Sequence, residues 1–176
     1  MLMSDVGYNY TQLETLLSEK KWKEADRETA RCMLQVAGLE NEGYLTKEDI
    51  ENFLCADLGR IDQLWLQYSN DQFGFSVQKE IYQNLGGTTE YNQEVYEAFN
   101  NKVGWSQEGQ FLLYPDLDFS SDEHYRGYLP GCVLKLDVWY VRLGWLSDGV
   151  FYRGWDLVSS LSERLVECKI QRFPLL

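Results

Sequence analysis

The sequence predicts an all-α fold in a single compact domain, and three observations support this prediction. Apolar side chains recur three and four positions apart through the first hundred residues. Capping residues and glycines separate these stretches at intervals typical of short helices. With 176 residues, 44% of them hydrophobic, the chain is long enough to bury one core. We therefore expect one domain over residues 1–176.

Two helices are predicted near the N-terminus. The first opens at Asn9 or Thr11, either of which can cap a helix through its side chain. The second follows an apolar stripe from Trp22 to Ala37 and stops at Gly38, because glycine is common just past a helix end.

Two further helices are predicted between residues 46 and 68. Thr46 and Asp49 have the spacing of a capping box, which marks the start of the third helix. We expect Asp57 to cap the fourth helix. Its apolar face consists of Leu58, Ile61, Leu64, Trp65 and Tyr68.

The next two predicted helices are separated by a glycine pair. Ser76 is expected to cap the fifth helix, which closes before Gly86. Thr88 or Thr89 is expected to open the sixth. That helix carries Tyr91, Val95, Tyr96 and Phe99.

After residue 105 the helical spacing stops. Residues 105–135 are rich in turn-forming proline and glycine, which indicates irregular chain. Residues 137–155 then hold six aromatic residues, with glycines recurring every five positions. A final helix is expected to open at Asp156 or Ser160.

A strand alternative stays open for part of this region. β-branched and aromatic residues cluster over Val133–Leu143. Asp148 and Gly149 have the sequence of a hairpin turn between Trp139–Leu146 and Val150–Trp155.

The charge distribution argues against nucleic-acid binding. The net charge is −12, and phosphate backbones require a cationic face. One segment, between residues 124 and 155, is locally basic and aromatic, which suits a small anionic aromatic ligand. Its basic residues are Arg126, Lys135, Arg142 and Arg153.

The cysteines and the N-terminus point to an intracellular compartment. The four cysteines have no CxxC spacing, so we expect all of them to be reduced, buried and unreactive. No apolar run is long enough to span a membrane. Residues 1–5 resemble neither a signal peptide nor a transit peptide. A bacterial cytoplasm fits best, unless a transit peptide was removed from the chain.

Signatures of catalysis and of a metal site are weak. The chain has one histidine, His124, and lacks a phosphate-binding Gly-Lys-Ser/Thr loop. The spacing of Asp116, Asp118, Ser120 and Asp122 resembles a calcium loop. It lacks that loop's sixth-position glycine and twelfth-position glutamate, so we expect a solvated acidic loop.

Four short motifs carry a family resemblance. They are Ile61–Trp65, Phe73–Gln78, Val103–Trp105 and Gly127–Pro130. In this order they resemble the genomes-uncoupled-four family, over about Tyr10 to Cys168. The resemblance implies an all-helical fold shaped like a cupped hand, with a long loop before the last helix. It further implies a protein without enzymatic activity that binds protoporphyrin IX or magnesium-protoporphyrin IX.

The resemblance also implies a site and a partner. The porphyrin would lie between a concave palm and the loop, with basic residues meeting its carboxylates and no dedicated protein ligand for its metal. The partner would be the large porphyrin-binding subunit of magnesium chelatase, in chlorophyll biosynthesis. The expected ligand-binding residues are Ile50, Phe53, Leu54, Phe73, Trp105, Phe111, Tyr114, Arg126, Tyr128, Leu129, Trp139, Arg142, Trp145 and Arg153.

Three departures from the family pattern leave alternatives open. The family usually has Pro-Cys directly before Asp-Leu, whereas this chain reads Leu54-Cys55-Ala56 before Asp57-Leu58. The family's usual Gly-His-Leu-Pro has Tyr128 in place of the histidine. Residues 137–155 are unusually aromatic. The alternative is a diverged relative that binds a bilin or a partner protein and does not activate the chelatase. An enzyme acting on a tetrapyrrole is a third possibility, with only scattered carboxylates to support it.

Overall fold

The computed structural model describes residues 7–90, 92–120, 124–136 and 155–171, and these are mostly helical. The all-α prediction is therefore confirmed. A two-residue hairpin joins β1 (Ser106–Gln107) to β2 (Gln110–Phe111), and a 3₁₀ turn spans Tyr114–Asp116. The helices, in chain order, are α1 (Thr11–Ser18), α2 (Trp22–Ala37), α3 (Lys47–Glu51), α4 (Cys55–Ser69), α5 (Phe75–Asn84), α6 (Gln93–Val103), α7 (Val133–Leu136) and α8 (Trp155–Glu167).

The predicted ends of α2 and the start of α3 are confirmed. Gly38 follows α2 with a φ of +71°, in the left-handed region that glycine adopts easily. Thr46 and Asp49 form the predicted capping box: the Thr46 hydroxyl accepts from the Asp49 backbone N–H, and the Asp49 carboxylate accepts from the Thr46 N–H.

Two predicted caps are wrong because the hydrogen bonds concerned join residues that are distant in sequence. Asp57 does not cap α4, which begins at Cys55; its carboxylate accepts a 2.6 Å hydrogen bond from the Tyr10 hydroxyl instead. Ser76 does not cap α5, since the helix already begins at Phe75. The Ser76 backbone N–H donates to Asp62 of α4, so a neighbouring helix supplies the cap.

Helix starts elsewhere also differ from the sequence prediction. Asn92, rather than Thr88 or Thr89, caps α6 by accepting from the Val95 backbone N–H. α8 begins at Trp155, which places Ser160 inside the helix. The α1 cap position is occupied by Tyr10, although the Asn9 side chain still accepts from the Thr11 N–H.

The strand alternative fails where the structure tests it. Val133–Leu136 is a short helix, α7, not a strand. Residues 137–154, including the proposed hairpin at Asp148, lie outside the described residues.

Most of the buried apolar side chains that the structure describes form a cluster with members from Tyr8 to Leu165. Its aromatic centre joins three elements: the Trp22 ring stacks on Trp65 at 6.1 Å and meets Phe73 edge-on at 5.4 Å. The Trp65 indole N–H donates to the Thr29 hydroxyl at 2.9 Å, so the polar atom of the largest core side chain is satisfied. α8 packs across α3, α4 and α5 and closes the bundle.

The cysteine prediction is wrong for one pair. Cys55 and Cys168 form a disulfide, with their Cα atoms 5.3 Å apart although 113 positions separate them in sequence. Folding brings the start of α4 against the end of α8, which spacing alone does not reveal. Cys32 and Cys132 are buried and form no disulfide, as expected. Among the described helices, none is long and apolar enough to cross a membrane.

Candidate functional site

An open groove lies between the C-terminal end of α2 and the connection from α3 to α4. Its volume is about 430 Å³, and Phe53 and Leu54, two of the predicted ligand-binding residues, lie in it side by side. We call it the α2–α3 groove. Its described lining consists of Val36, Ala37, Glu48, Asp49, Asn52, Phe53 and Leu54.

Hydrogen bonds on both sides hold the walls of this groove. Past the end of α2, the Leu39 N–H returns to the Leu34 carbonyl at 2.8 Å, which closes the helix beside Val36. On the opposite wall, Arg164 of α8 donates from Nε and Nη2 to the Phe53 carbonyl at 2.9 and 2.7 Å. The last helix therefore holds the α3–α4 connection in place.

The groove combines an apolar surface with acidic groups. Phe53 is almost fully buried, whereas Leu54 leaves 38% of its surface exposed. Glu48 is exposed, and the Asp49 carboxylate is held by the Thr46 N–H and hydroxyl at 2.7 and 2.6 Å. Such a surface favours the apolar part of a ligand and disfavours anionic groups near Glu48.

Most of the other predicted residues that the structure describes lie in the core. Their polar atoms, where they have them, bond within the protein. Ile50, Phe73, Trp105, Tyr114, Tyr128 and Leu129 are each at most 7% exposed. In the described part of the chain, none of these side chains lines the α2–α3 groove.

Asp26 and Trp105 tie this buried set together. The Tyr114 hydroxyl donates to the Asp26 carboxylate at 2.8 Å, and the Trp105 indole N–H donates to the Tyr128 carbonyl at 2.8 Å. Burial raises the pKa of Tyr114 well above its usual value, and it raises the pKa of Tyr128 to about 12. Both phenols are thus neutral hydrogen-bonding groups at physiological pH.

The sequence motifs interlock in the same region. Gln78 donates from Nε2 to the carbonyls of Gly127 and Pro130 at 3.0 and 2.9 Å, and the Gly74 N–H donates to the Leu129 carbonyl at 3.0 Å. Asp26 accepts from the N–H groups of Gly131 and Cys132. We call this set the motif network: Asp26, Asp62, Gly74, Ser76, Gln78, Trp105 and residues 127–132.

Gly74 shows why the network requires its sequence. Its φ of +140° is strained for any residue with a side chain, and a Cβ there would lie 3.0 Å from the Asp62 carboxylate. Burial raises the pKa of Asp62, while the bond from the Ser76 N–H opposes that rise. The close approach lets Asp62 reach the first turn of α5.

Arg126 and Phe111 lie at the surface in other surroundings. The Arg126 guanidinium pairs with Glu80 of α5 at 2.9 Å, and both side chains are about two-fifths exposed, at 38% and 40%. Phe111 is 37% exposed on the hairpin, with its ring 5.4 Å from that of Tyr96. Neither belongs to the described lining of the α2–α3 groove. Trp139, Arg142, Trp145 and Arg153 lie outside the described residues.

Sequence reasoning missed Asp26 as an organising residue and the α2 wall of the groove. A signal for Asp26 was present, because it is a carboxylate inside the apolar stripe of α2 and must find partners when buried. Val36 and Ala37 carried no such signal. Among the described residues, no group of three or more His, Cys, Asp or Glu side chains is arranged to hold a metal ion.

Comparison with known proteins identifies a family and several relatives. A protein-family model described as GUN4-like matches residues 3–152. A relative named uncharacterized protein ycf53, from Pyropia yezoensis, is 31% identical over 132 residues, which cover 73% of this chain and 52% of the relative. Tetrapyrrole-binding protein, chloroplastic, from Arabidopsis thaliana is 28% identical over 130 residues, covering 67% of this chain and 46% of the relative.

Other comparisons add a cyanobacterial relative and the fold. A Ycf53-like protein of Synechocystis sp. is 28% identical over 116 residues, covering 65% of this chain and 47% of the relative. The chain thus spans about half the length of the curated relatives it matches. Ligand-free GUN4 of Arabidopsis thaliana superposes with a TM-score of 0.65 at 23% identity, over 89% of this chain and 95% of that one. GUN4 from Chlamydomonas reinhardtii gives 0.65 at 24% identity, over 93% and 94%. At these identities the structural likeness establishes the fold.

Proposed function

This chain belongs to the GUN4-like family, and from that membership we propose that it is a tetrapyrrole-binding protein without enzymatic activity. The observation that carries the proposal is the family match over residues 3–152, which contain both the α2–α3 groove and the motif network. A relative named as a tetrapyrrole-binding protein supports it. We further propose protoporphyrin IX or magnesium-protoporphyrin IX as the ligand.

The chemistry of the groove fits part of such a ligand. A porphyrin is a flat apolar disc with carboxylate side chains, and its removal from water gains about 25 cal/mol per Å² of apolar surface. Phe53 and the exposed Leu54 supply apolar contact in a groove of about 430 Å³. Because Glu48 and Asp49 are acidic, the porphyrin carboxylates would point away from this wall.

Cations for those carboxylates are proposed from the segment before α8. Arg142 and Arg153 stand among its aromatic residues, Trp139 and Trp145 included, and arginine pairs with carboxylates through two parallel hydrogen bonds. Arg126 is a further proposed contact. It would have to exchange its present partner, Glu80, for the ligand.

The proposed biological role is regulation of magnesium chelatase through its large porphyrin-binding subunit. A protein that binds the substrate or the product of a reaction can promote turnover by delivery or by removal. The proposed compartment is a cyanobacterial cytoplasm or a chloroplast stroma, in keeping with a Synechocystis relative and a chloroplastic one. The porphyrin would carry its own magnesium, with no dedicated protein ligand.

Titration with deuteroporphyrin IX and its magnesium form tests the proposal. The chain has six tryptophans, so a bound porphyrin should quench their fluorescence. We expect saturable quenching at micromolar or lower concentration. Absence of quenching by both porphyrins would contradict the proposal. Saturable binding of biliverdin alone would favour the diverged, bilin-binding alternative, to which the departures at Leu54 and Tyr128 point.

Substitution of the proposed rim arginines refines the site. Arg142→Ala and Arg153→Ala should each weaken deuteroporphyrin binding by about 1–3 kcal/mol where the arginine pairs with a carboxylate. The dimethyl ester of the porphyrin lacks those carboxylates and serves as the matched control. Unchanged affinity for the free acid in both variants would remove the rim assignment and leave the groove contacts standing.

A further inference from the structure

The Cys55–Cys168 disulfide begins at the residue that follows Leu54, which lines the proposed ligand groove. Cys55 is the first residue of α4 and follows Leu54, and Cys168 comes immediately after the last residue of α8. We propose that this disulfide is a redox site that a dithiol reductant opens in the folded protein, loosening the Phe53–Leu54 wall of the α2–α3 groove.

Exposure distinguishes this pair from the other two cysteines. Cys55 is an exposed residue and Cys168 is partly exposed, which places the pair at the protein surface. Cys32 and Cys132 are fully buried, and burial raises the pKa of the Cys32 thiol to about 12. Exposed disulfides are the labile ones, and in reducing compartments a disulfide is more often regulatory than structural.

The position of Cys55 favours reduction. A thiolate of the reductant attacks the Cys168 sulfur, which forms a mixed disulfide and releases the Cys55 thiolate. That thiolate lies at the N-terminus of a 15-residue helix, whose unpaired backbone N–H groups stabilise negative charge. The second thiol of the reductant, as its thiolate, then attacks the reductant's other sulfur in the mixed disulfide, which closes the oxidised reductant and releases the Cys168 thiolate. The products are two protein thiols and one oxidised reductant.

Other contacts keep the last helix in place once the bond opens. Leu157, Leu161 and Leu165 of α8 remain buried in the core. At the end of the helix, Lys79 still donates from Nζ to the Ile170 carbonyl at 2.9 Å. We therefore expect local loosening at the two tethered ends rather than unfolding.

The disulfide is connected to the groove wall by the peptide bond between Leu54 and Cys55. Phe53 and Leu54 line the groove and immediately precede Cys55. With the bond open, the Phe53 carbonyl keeps its hydrogen bonds from Arg164, but the covalent limit on the movement of Leu54 is gone. The reduced protein should therefore hold this wall less firmly.

Alkylation under native conditions tests the redox site. The oxidised full chain is treated with dithiothreitol without denaturant, blocked with N-ethylmaleimide and mapped by peptide mass spectrometry. We expect label on Cys55 and Cys168, and none on Cys32 or Cys132. Failure of the disulfide to form under mild oxidation, or a requirement for denaturant before labelling, would overturn the proposal.

Hydrogen exchange tests the loosened wall. Reduction should speed exchange in residues 51–57 and 164–170 and leave residues 73–78 unchanged. The matched control is the double variant Cys55→Ser/Cys168→Ser, which should resemble reduced protein and should not respond to dithiothreitol. Equal exchange in the oxidised and reduced wild-type protein would overturn the link between the disulfide and the groove.

Porphyrin affinity extends the test and rests on the proposed function. We expect reduced protein to bind deuteroporphyrin IX three- to tenfold more weakly than oxidised protein. Equal affinity would refute redox control of binding while leaving tetrapyrrole binding intact. Absence of binding in both states would refute the proposed function, and the alkylation and exchange results would still decide the redox site.

Discussion

The motif network and the α2–α3 groove are built in opposite ways. In the network, Gln78 donates two buried hydrogen bonds to carbonyls within residues 127–132. Asp26 accepts three more buried hydrogen bonds, from Tyr114 and from two backbone N–H groups within the same range. In the groove, Leu54 is 38% exposed. The wall that contains Phe53 and Leu54 is tied to α8 by the Arg164 hydrogen bond and to the residue after α8 by the Cys55–Cys168 disulfide. The motifs that identify the family thus form a scaffold, whereas the open surface lies elsewhere.

We expect this difference to separate effects on stability from effects on ligand binding. A buried hydrogen bond is costly to break because the remaining partner is left without water or protein to satisfy it. A side chain exposed in a groove can be changed with little effect on folding. Substitutions in the two regions should therefore affect different measurements.

The largest expected effect is that of Asp26→Ala. It leaves the Tyr114 hydroxyl and the N–H groups of Gly131 and Cys132 buried without their acceptor. We expect the free energy of unfolding to fall by about 3–5 kcal/mol, measured by urea denaturation. Asp26→Asn keeps one acceptor oxygen and should cost less than half as much. A loss below about 1 kcal/mol for Asp26→Ala would mean that the network does not organise the core.

Gln78→Ala should come next. The substitution removes the donor to two buried carbonyls, those of Gly127 and Pro130, and should cost about 2–3 kcal/mol of unfolding free energy. Gln83→Ala, at an exposed position of the same helix, is the matched control and should change stability by less than about 0.5 kcal/mol. Similar losses in the two variants would contradict the role given to Gln78.

Alkaline pH should weaken the motif network through ionisation of Tyr128. The pKa of Tyr128 is raised to about 12 in the folded protein, above its ordinary value of 10.0. The folded state therefore binds its proton more tightly than the unfolded state, and stability present below pH 10 should be lost as the pH rises through 12. We expect Tyr128 to contribute about 1–2 kcal/mol to this loss.

Tyr128→Phe provides the check on this pH dependence. Unfolding free energies measured across the same alkaline range should fall less steeply in the variant than in the wild-type protein. Parallel curves would show that Tyr128 does not titrate as the structure indicates.

The smallest effect on stability is expected in the groove, where substitution should weaken binding instead. Leu54→Glu adds a charge to an apolar contact and should weaken deuteroporphyrin IX binding about tenfold, or about 1.4 kcal/mol. Stability should change by less than about 0.5 kcal/mol. Val166→Glu, at another exposed apolar position outside the groove lining, should leave binding within about twofold. Equal effects of the two substitutions would place the ligand elsewhere.

Local sequence signals predicted the helices whose ends are determined locally. The stripe from Trp22, the glycine at Gly38 and the capping box at Thr46 each act within a few residues, so spacing was enough. The cap of α5 comes from Asp62 in a neighbouring helix. Cys55 and Cys168 are close enough to form a disulfide only in the folded chain. These features depend on tertiary packing, which no local pattern encodes.

The candidate site was predictable only in part for a similar reason. Phe53 and Leu54 were predicted through the family resemblance, and the structure brings them together in the groove. The opposite wall, at Val36 and Ala37, consists of ordinary apolar residues at a helix end and has no distinguishing sequence feature. Trp105 and Tyr114 were expected at the same palm. The structure shows both hydrogen-bonded within the protein, and their contact with a ligand stays a prediction.

Hydrogen exchange of the full chain, with and without saturating deuteroporphyrin IX, tests the central claim most directly. The account predicts slower exchange in residues 33–39 and 47–56, which form the groove walls, and little change in residues 73–78 and 127–132. Protection confined to those motif residues, with the groove walls unchanged, would contradict the division between scaffold and binding surface.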